Sequence, residues 1–225
     1  MQSSVGGITT VHEIIRQYQS LVPFLGAVLG TDYEVVLHDL SSDDNKVVAI
    51  ANSGISGRKV GAPLTNLALK FIADRTYQTK DFVVGSPGIS PKGAPLLTAT
   101  YFIKDGAKAL IGILCINCDM THFNHLLDSL SGLVGLNAAA QAAPAAAPAT
   151  ERFQGSIKDL VRSSIDEIVA RRGVPADRLT MSEKIMVVEE LNRDGVFFLK
   201  GAVSEVAGYL QSSEATIYRY LSKLR

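Results

Sequence analysis

The chain has 225 residues, 47% of them hydrophobic and 20% charged. That is enough for one large or two smaller globular domains with a real core, and it excludes a disordered chain. Its 22 Lys+Arg match 22 Asp+Glu, so bulk charge cannot hold nucleic acid and any such contact needs a local basic patch. No cationic apolar leader and no 18-residue apolar run occurs, so the expected compartment is the cytoplasm, with no membrane partner.

Residues 1–9 read as a frayed start. Val11, Ile14, Ile15, Tyr18, Leu21, Val22, Leu25 and Val28 then recur at helical spacing, predicting a helix that tolerates Pro23 with a bend and stops near Gly30. Two β-rich runs, Tyr33–Leu40 and Lys46–Ala51, flank Ser41–Asn45 as a hairpin. A helix is expected from Leu64 to Arg75 and a short strand from Asp81 to Val84, followed by a loop with Pro87, Pro91 and Pro95. Strands Leu96–Lys104 and Lys108–Asn117 join at Asp105-Gly106, a strong turn signal. Phe123, Leu126, Leu127, Leu130, Leu133 and Val134 line one face of a further helix. The simplest solution is an α+β domain, an antiparallel sheet with helices packed to one side.

Cys115 and Cys118 are the only cysteines. Their spacing invites a metal or redox reading, but positions three apart on a strand face opposite sides, and His122 and His125 do not complete a usual ligand set. Both read as core residues. No metal and no cofactor are expected. No phosphate-binding glycine motif and no nucleophile–base set occurs either, so the chain does not read as an enzyme.

Residues 138–150, Ala-rich and interrupted by Pro144 and Pro148, read as a partly extended tether. They divide a sensor domain (1–137) from an all-α domain (151–225). In the latter, Ile157 to Val169 form an amphipathic helix ending at Gly173. Thr180-Met-Ser-Glu183 is a capping box opening a helix that stops at Gly195.

Residues 202–225 carry the functional signal. Val203, Val206, Ala207 and Leu210 repeat at i, i+3, i+4, i+7, as do Ile217, Tyr220, Leu221 and Leu224, about a hinge at Gln211-Ser212-Ser213. That is a helix-turn-helix pattern, small Ala207 suiting a close crossing. Gln211 stands where such turns often carry Gly, at a cost of about 1 kcal/mol. The second helix presents Glu214, Ala215, Thr216, Tyr218 and Arg219 outward, with Ser222, Lys223 and Arg225 beyond. Arg219 suits guanine or phosphate, and Ala215 or the Thr216 methyl suits a thymine methyl. Ser212, Ser213, Lys223 and Arg225 suit the phosphate backbone of a double-stranded DNA operator. Residues 151–225 hold 12 Lys+Arg against 11 Asp+Glu, a net of +1. One copy should therefore bind weakly, which points to a homodimer. The competing readings are a wet helical hairpin without DNA, and a dimeric signalling adaptor whose hairpin binds protein.

Glu34–Leu40, Ala49–Asn52, Ile55–Arg58, Gly61–Thr65 and Leu114–Asn117 resemble the YheO-like family of bacterial transcriptional regulators. The likeness spans about residues 10–135 and 156–225. It implies a PAS-type sensor domain followed by a helix-turn-helix, with a small-molecule effector or a dimer contact on the inner face of the sheet. The stretch Asn52, Ser53, Gly54, Ser56 and Arg58, with Thr65 and His38, is the candidate effector site. Arg58 would pair with the carboxylate of an amino-acid-like ligand. The other reading of these residues is a tight strand-to-helix turn, a surface Arg and a satisfied core His.

Overall fold

A computed structural model describes residues 10–42, 45–134, 150–173 and 179–224. The readings made above for residues 1–9, the middle of the first hairpin loop, most of the Ala/Pro tether and Arg225 lie outside these ranges.

Helix α1 (Val11–Leu29) opens with a capping box in which Glu13 and Thr10 each accept the other's backbone N–H, and it carries Pro23 inside. Strands β1 (Tyr33–Asp39) and β2 (Lys46–Ala51) form the expected hairpin. Helix α2 (Asn66–Ala73) is shorter than its apolar run suggested. Thr65 caps its start, and the chain turns out of the helix at Arg75, whose φ is 52°. Strand β3 (Phe82–Ile89) is twice the expected length and contains Pro87. Proline is tolerated because this strand pairs fully with only one neighbour and is offset by a register shift between Val84 and Ser86. Strands β4 (Pro95–Lys104) and β5 (Leu110–Asp119) form the long central hairpin, and α3 (Thr121–Val134) follows.

Beyond the tether, β6 (Glu151–Arg152) lies parallel to β3 and completes a six-stranded sheet of order β2-β1-β5-β4-β3-β6. Helices α4 (Ile157–Arg172), α5 (Met181–Arg193), α6 (Ala202–Tyr209) and α7 (Glu214–Ser222) make up the rest.

The sheet has two differently used faces, separated by strand parity. Val35, Leu37, Ile103, Ile111 and Leu114 meet Ile15 and Val22 of α1. Gly112 permits that approach, since a Cβ there would sit 2.7 Å from the Ile15 methyl. The alternate positions Val36, Phe102, Ile113 and Cys115 face the other way. They join one core with Leu69 of α2 and with Leu160, Ile165, Val188, Leu191, Val206 and Ile217 of the C-terminal helices. Helices therefore cover both faces rather than one. The one-sided expectation failed because α1 packs on one face while α2, joined by the helices after the tether, packs on the other.

The halves also meet directly. Asp194 pairs with Lys70 at 3.9 Å, and Asn45 donates to the Phe198 carbonyl at 3.4 Å. Gly195, at φ 78°, sits where a Cβ would come 2.8 Å from the Leu69 carbonyl. Cys115 and Cys118 are both buried and unbridged, as core cysteines. Among the described residues no helix is long and apolar enough to cross a membrane.

Candidate nucleic-acid interface and sensor cluster

Helix α6 buries Ala202, Val206 and Ala207, and α7 buries Ile217 and Tyr220. The turn between them closes as a Schellman motif. Ser212 N–H donates to the Ala207 carbonyl at 2.9 Å and Gln211 N–H to the Gly208 carbonyl at 3.3 Å. Gln211 occupies the left-handed position, φ 49°, that the motif demands. Ser213 then caps α7, its hydroxyl accepting from Thr216 N–H at 3.2 Å.

That cap decides which side chains are available. Ser213, Ala215, Tyr218, Arg219 and Lys223 are exposed, while Ser212 and Thr216 are half-buried. Ser213 and Thr216 hydroxyls lie 2.9 Å apart, so the Thr216 side chain offers chiefly its methyl to a partner. The Arg219 guanidinium stands 6.0 Å from the Tyr220 ring, a contact that helps to orient it. Glu214 in the first turn repels phosphate on its side, which leaves Arg219 and Lys223 as the cationic edge among the described residues of α7.

The inner face of the sheet carries a second polar constellation, and this one is buried. Glu34, His38, Ser56, Arg58, Thr65, Thr98, Thr100, Asn117 and Glu151 are each no more than 4% exposed. Glu34 accepts from Ser56 Oγ at 2.6 Å, Ser56 N–H at 3.3 Å and Asn117 Nδ2 at 3.0 Å. Arg58 donates to the Pro63 carbonyl, and its own N–H rests on Ser56 Oγ at 3.2 Å. Thr65 both caps α2 and donates to Glu151 Oε1 at 2.6 Å.

Charges in this cluster act on one another through little solvent. Burial, and then the Arg58 charge, holds His38 well below the usual imidazole range, so it is neutral. Burial pushes Cys115 up to about 12, a protonated and inert thiol. Burial raises the Glu151 carboxyl, and the Thr65 and Thr98 hydroxyls and then the Arg58 charge pull it partly back.

Four of the seven expected effector residues, His38, Ser56, Arg58 and Thr65, come together here. Arg58 is therefore no surface side chain. The other three do not join them. Asn52, at φ 57°, places its amide nitrogen 3.0, 2.9 and 2.8 Å from the carbonyls of Gly26, Gly30 and Tyr33, tying the end of α1 to the sheet. Ser53 accepts Gly57 N–H at 2.8 Å within the turn. Exposed Gly54 lines an open depression of about 320 Å³ with Asn52, Ile55 and Ser90.

Comparison with known proteins fits both regions. Residues 9–135 match the model of the YheO-like PAS domain, and residues 160–222 match a helix-turn-helix domain. This chain belongs to the YheO-like PAS family. A PAS domain and a helix-turn-helix on one chain is the organisation of a DNA-binding transcription regulator. The chain is 25% identical to the uncharacterized protein YheO of Escherichia coli K12, over 96% of this chain and 87% of that one. It is 29% identical to an uncharacterized Haemophilus influenzae protein (94% and 91% covered) and 23% identical to the transcriptional regulator DauR of Pseudomonas aeruginosa (94% of each).

Within this YheO-like chain, five cluster residues escaped the sequence reading: Glu34, Thr98, Thr100, Asn117 and Glu151. A parity signal existed for four. Glu34 shares its strand face with Val36 and His38, and Asn117 shares its face with Ile113 and Cys115, so polar residues were spaced along buried faces. Glu151 gave no such signal, because it lies between the two matched domains.

Proposed function

We propose that this protein is a sequence-specific, cytoplasmic DNA-binding transcriptional regulator whose α7 enters a major groove of operator DNA. The observation that carries this reading is the outer face of α7. Arg219, Lys223, Tyr218, Ala215 and Ser213 stay exposed while Ile217 and Tyr220 bury the opposite face. Arg219 and the Thr216 methyl read bases, and Ser212, Ser213 and Lys223 hold phosphates, with Arg225 following them in sequence.

The regulator acts as a homodimer. Support comes from the small positive charge of one reader and from α3, whose Phe123, Leu126, Leu127, Leu130 and Leu133 are 40–84% exposed along one stripe. A second copy covering that stripe would bring two α7 helices to one operator, for which half-sites about one helical turn apart are expected of a dimeric reader. Leu126→Glu with Leu130→Glu should then convert the dimer to monomer in sedimentation, whereas an unchanged dimer places the seam elsewhere.

The sensor half holds a small effector on the inner face of its sheet, an amino-acid-like molecule whose carboxylate takes Arg58. Genomic fragments retained by the full chain at fixed salt, then sequenced, test the DNA reading. Enriched pseudo-palindromic sites support it. Absence of retention even at low ionic strength, where phosphate contacts are strongest, together with salt-independent capture of a protein, would favour the adaptor reading instead.

A further inference from the structure

The buried cluster leaves polar atoms without partners, and their chemistry is complementary. Arg58 Nε is a donor without an acceptor. Glu151 Oε2 and Asn117 Oδ1 are acceptors without a donor within hydrogen-bond geometry, although the Thr98 hydroxyl lies near Glu151. His38 Nδ1, which can donate or accept, is unpartnered as well. Burying such groups is costly unless something satisfies them. A plain carboxylate would answer Arg58 but would add a further acid beside Glu34 and Glu151. A zwitterion answers both sets, its carboxylate on Arg58 and its ammonium on the orphan acceptors.

Glu151 is placed for this by its strand. β6 pairs Glu151 with Gly88 and turns Glu151 and Phe153 to the same inward side, leaving Arg152 exposed between them. Phe153 packs with Ile55 and Leu96 beside the cluster. Asn66 grips the strand at both ends, donating to the Thr150 carbonyl at 3.0 Å and accepting from Arg152 N–H at 2.8 Å. Four residues separate β6 from α4, whose Leu160 and Ile165 enter the core shared with α6 and α7.

Resting on the effector reading above, we propose that Glu151 is a binding residue of the sensor site, accepting the amino group of a zwitterionic effector whose carboxylate Arg58 takes. The effector is thereby held from both sides of the tether. Occupancy adds a partner to β6 and fixes the start of α4, so the strand after the tether, rather than the tether itself, reports the bound state to the DNA reader. The ligand shifts that equilibrium only by its preference for the docked strand.

The test uses the full chain with the common α-amino acids as probes, each beside the same skeleton lacking its amino group. Thermal shift reports binding, and hydrogen exchange reports protection of residues 150–156. The expected result is that at least one amino acid binds, its des-amino counterpart binds about tenfold or more weakly, and exchange at 150–156 slows. Glu151→Gln should weaken the amino acid to a similar degree and abolish the discrimination. Equal binding of the des-amino acid, or wild-type affinity in Glu151→Gln, would overturn the role of Glu151 while leaving the effector site standing. Should Glu151→Gln not fold, the discrimination and the exchange pattern of the wild type still decide. Binding by no amino acid would remove the effector reading and this inference together.

Discussion

The inner face of the sensor sheet and the outer face of α7 are both rich in polar side chains, yet they obey opposite rules. On the sheet, Glu34, His38, Arg58 and Glu151 are withdrawn from water, so each must find a partner or change protonation. On α7, Arg219 and Lys223 stand in solvent at little cost, and their value depends on what they touch. The difference teaches where substitutions should be felt: stability for the sheet, recognition for α7.

The largest expected departure is at Arg58. Arg58→Ala strips the cluster of its only cation among the described residues and leaves Glu34 and Glu151 facing each other in a dry interior. Urea denaturation should show a loss of about 3 kcal/mol. A loss below ~1 kcal/mol would mean that the cluster is wetter than its burial suggests.

Next comes pH. His38 is neutral in the folded chain because its folded pKa lies well below the unfolded 6.5. The unfolded state therefore binds the extra proton. Stability from this group is full above pH 6.5 and declines as pH falls below it, by up to ~1.4 kcal/mol per unit. Glu151 works the other way: its raised carboxyl favours the fold below 4.5 and loses that contribution as pH rises through its folded value. Comparing wild type with His38→Gln between pH 7 and 5 isolates the histidine slope, which the variant should lack.

A smaller effect belongs to the hinge. Gln211→Gly relieves a side chain at φ 49° and should raise stability by about 0.5–1 kcal/mol in thermal unfolding, with DNA recognition unchanged.

What could be read from the sequence follows the same division. The α6–α7 unit was legible because its signals are local: two apolar stripes, a capping serine and a hinge within about two dozen residues. Even its one irregular residue, Gln211, was placed in the left-handed position. The extents of α1, β1, β2 and α5 were legible for similar reasons, through an apolar stripe ending at Gly30, a hairpin and the Thr180 capping box, whereas the Thr10–Glu13 box that opens α1 was not read. The sensor cluster was legible in part. His38, Ser56, Arg58 and Thr65 converge, but Asn52 proved to be a strut for α1, and nothing in the order of residues reveals that Glu151 returns across the tether to pair beside β3. Likewise β3 was cut short by reading Pro87 as a loop residue, since edge position is a tertiary property. Contacts between residues distant in the chain leave no periodicity behind.

The smallest expected effect on stability is also the most direct test of function. Arg219→Ala should unfold within ~0.5 kcal/mol of wild type, because the side chain lies in solvent. Its affinity for an operator selected by the wild-type chain, relative to a scrambled duplex at one fixed salt concentration, should fall tenfold or more, the worth of roughly one bidentate base contact. An undiminished ratio in a folded Arg219→Ala protein would contradict the assignment of α7 as the helix that reads DNA.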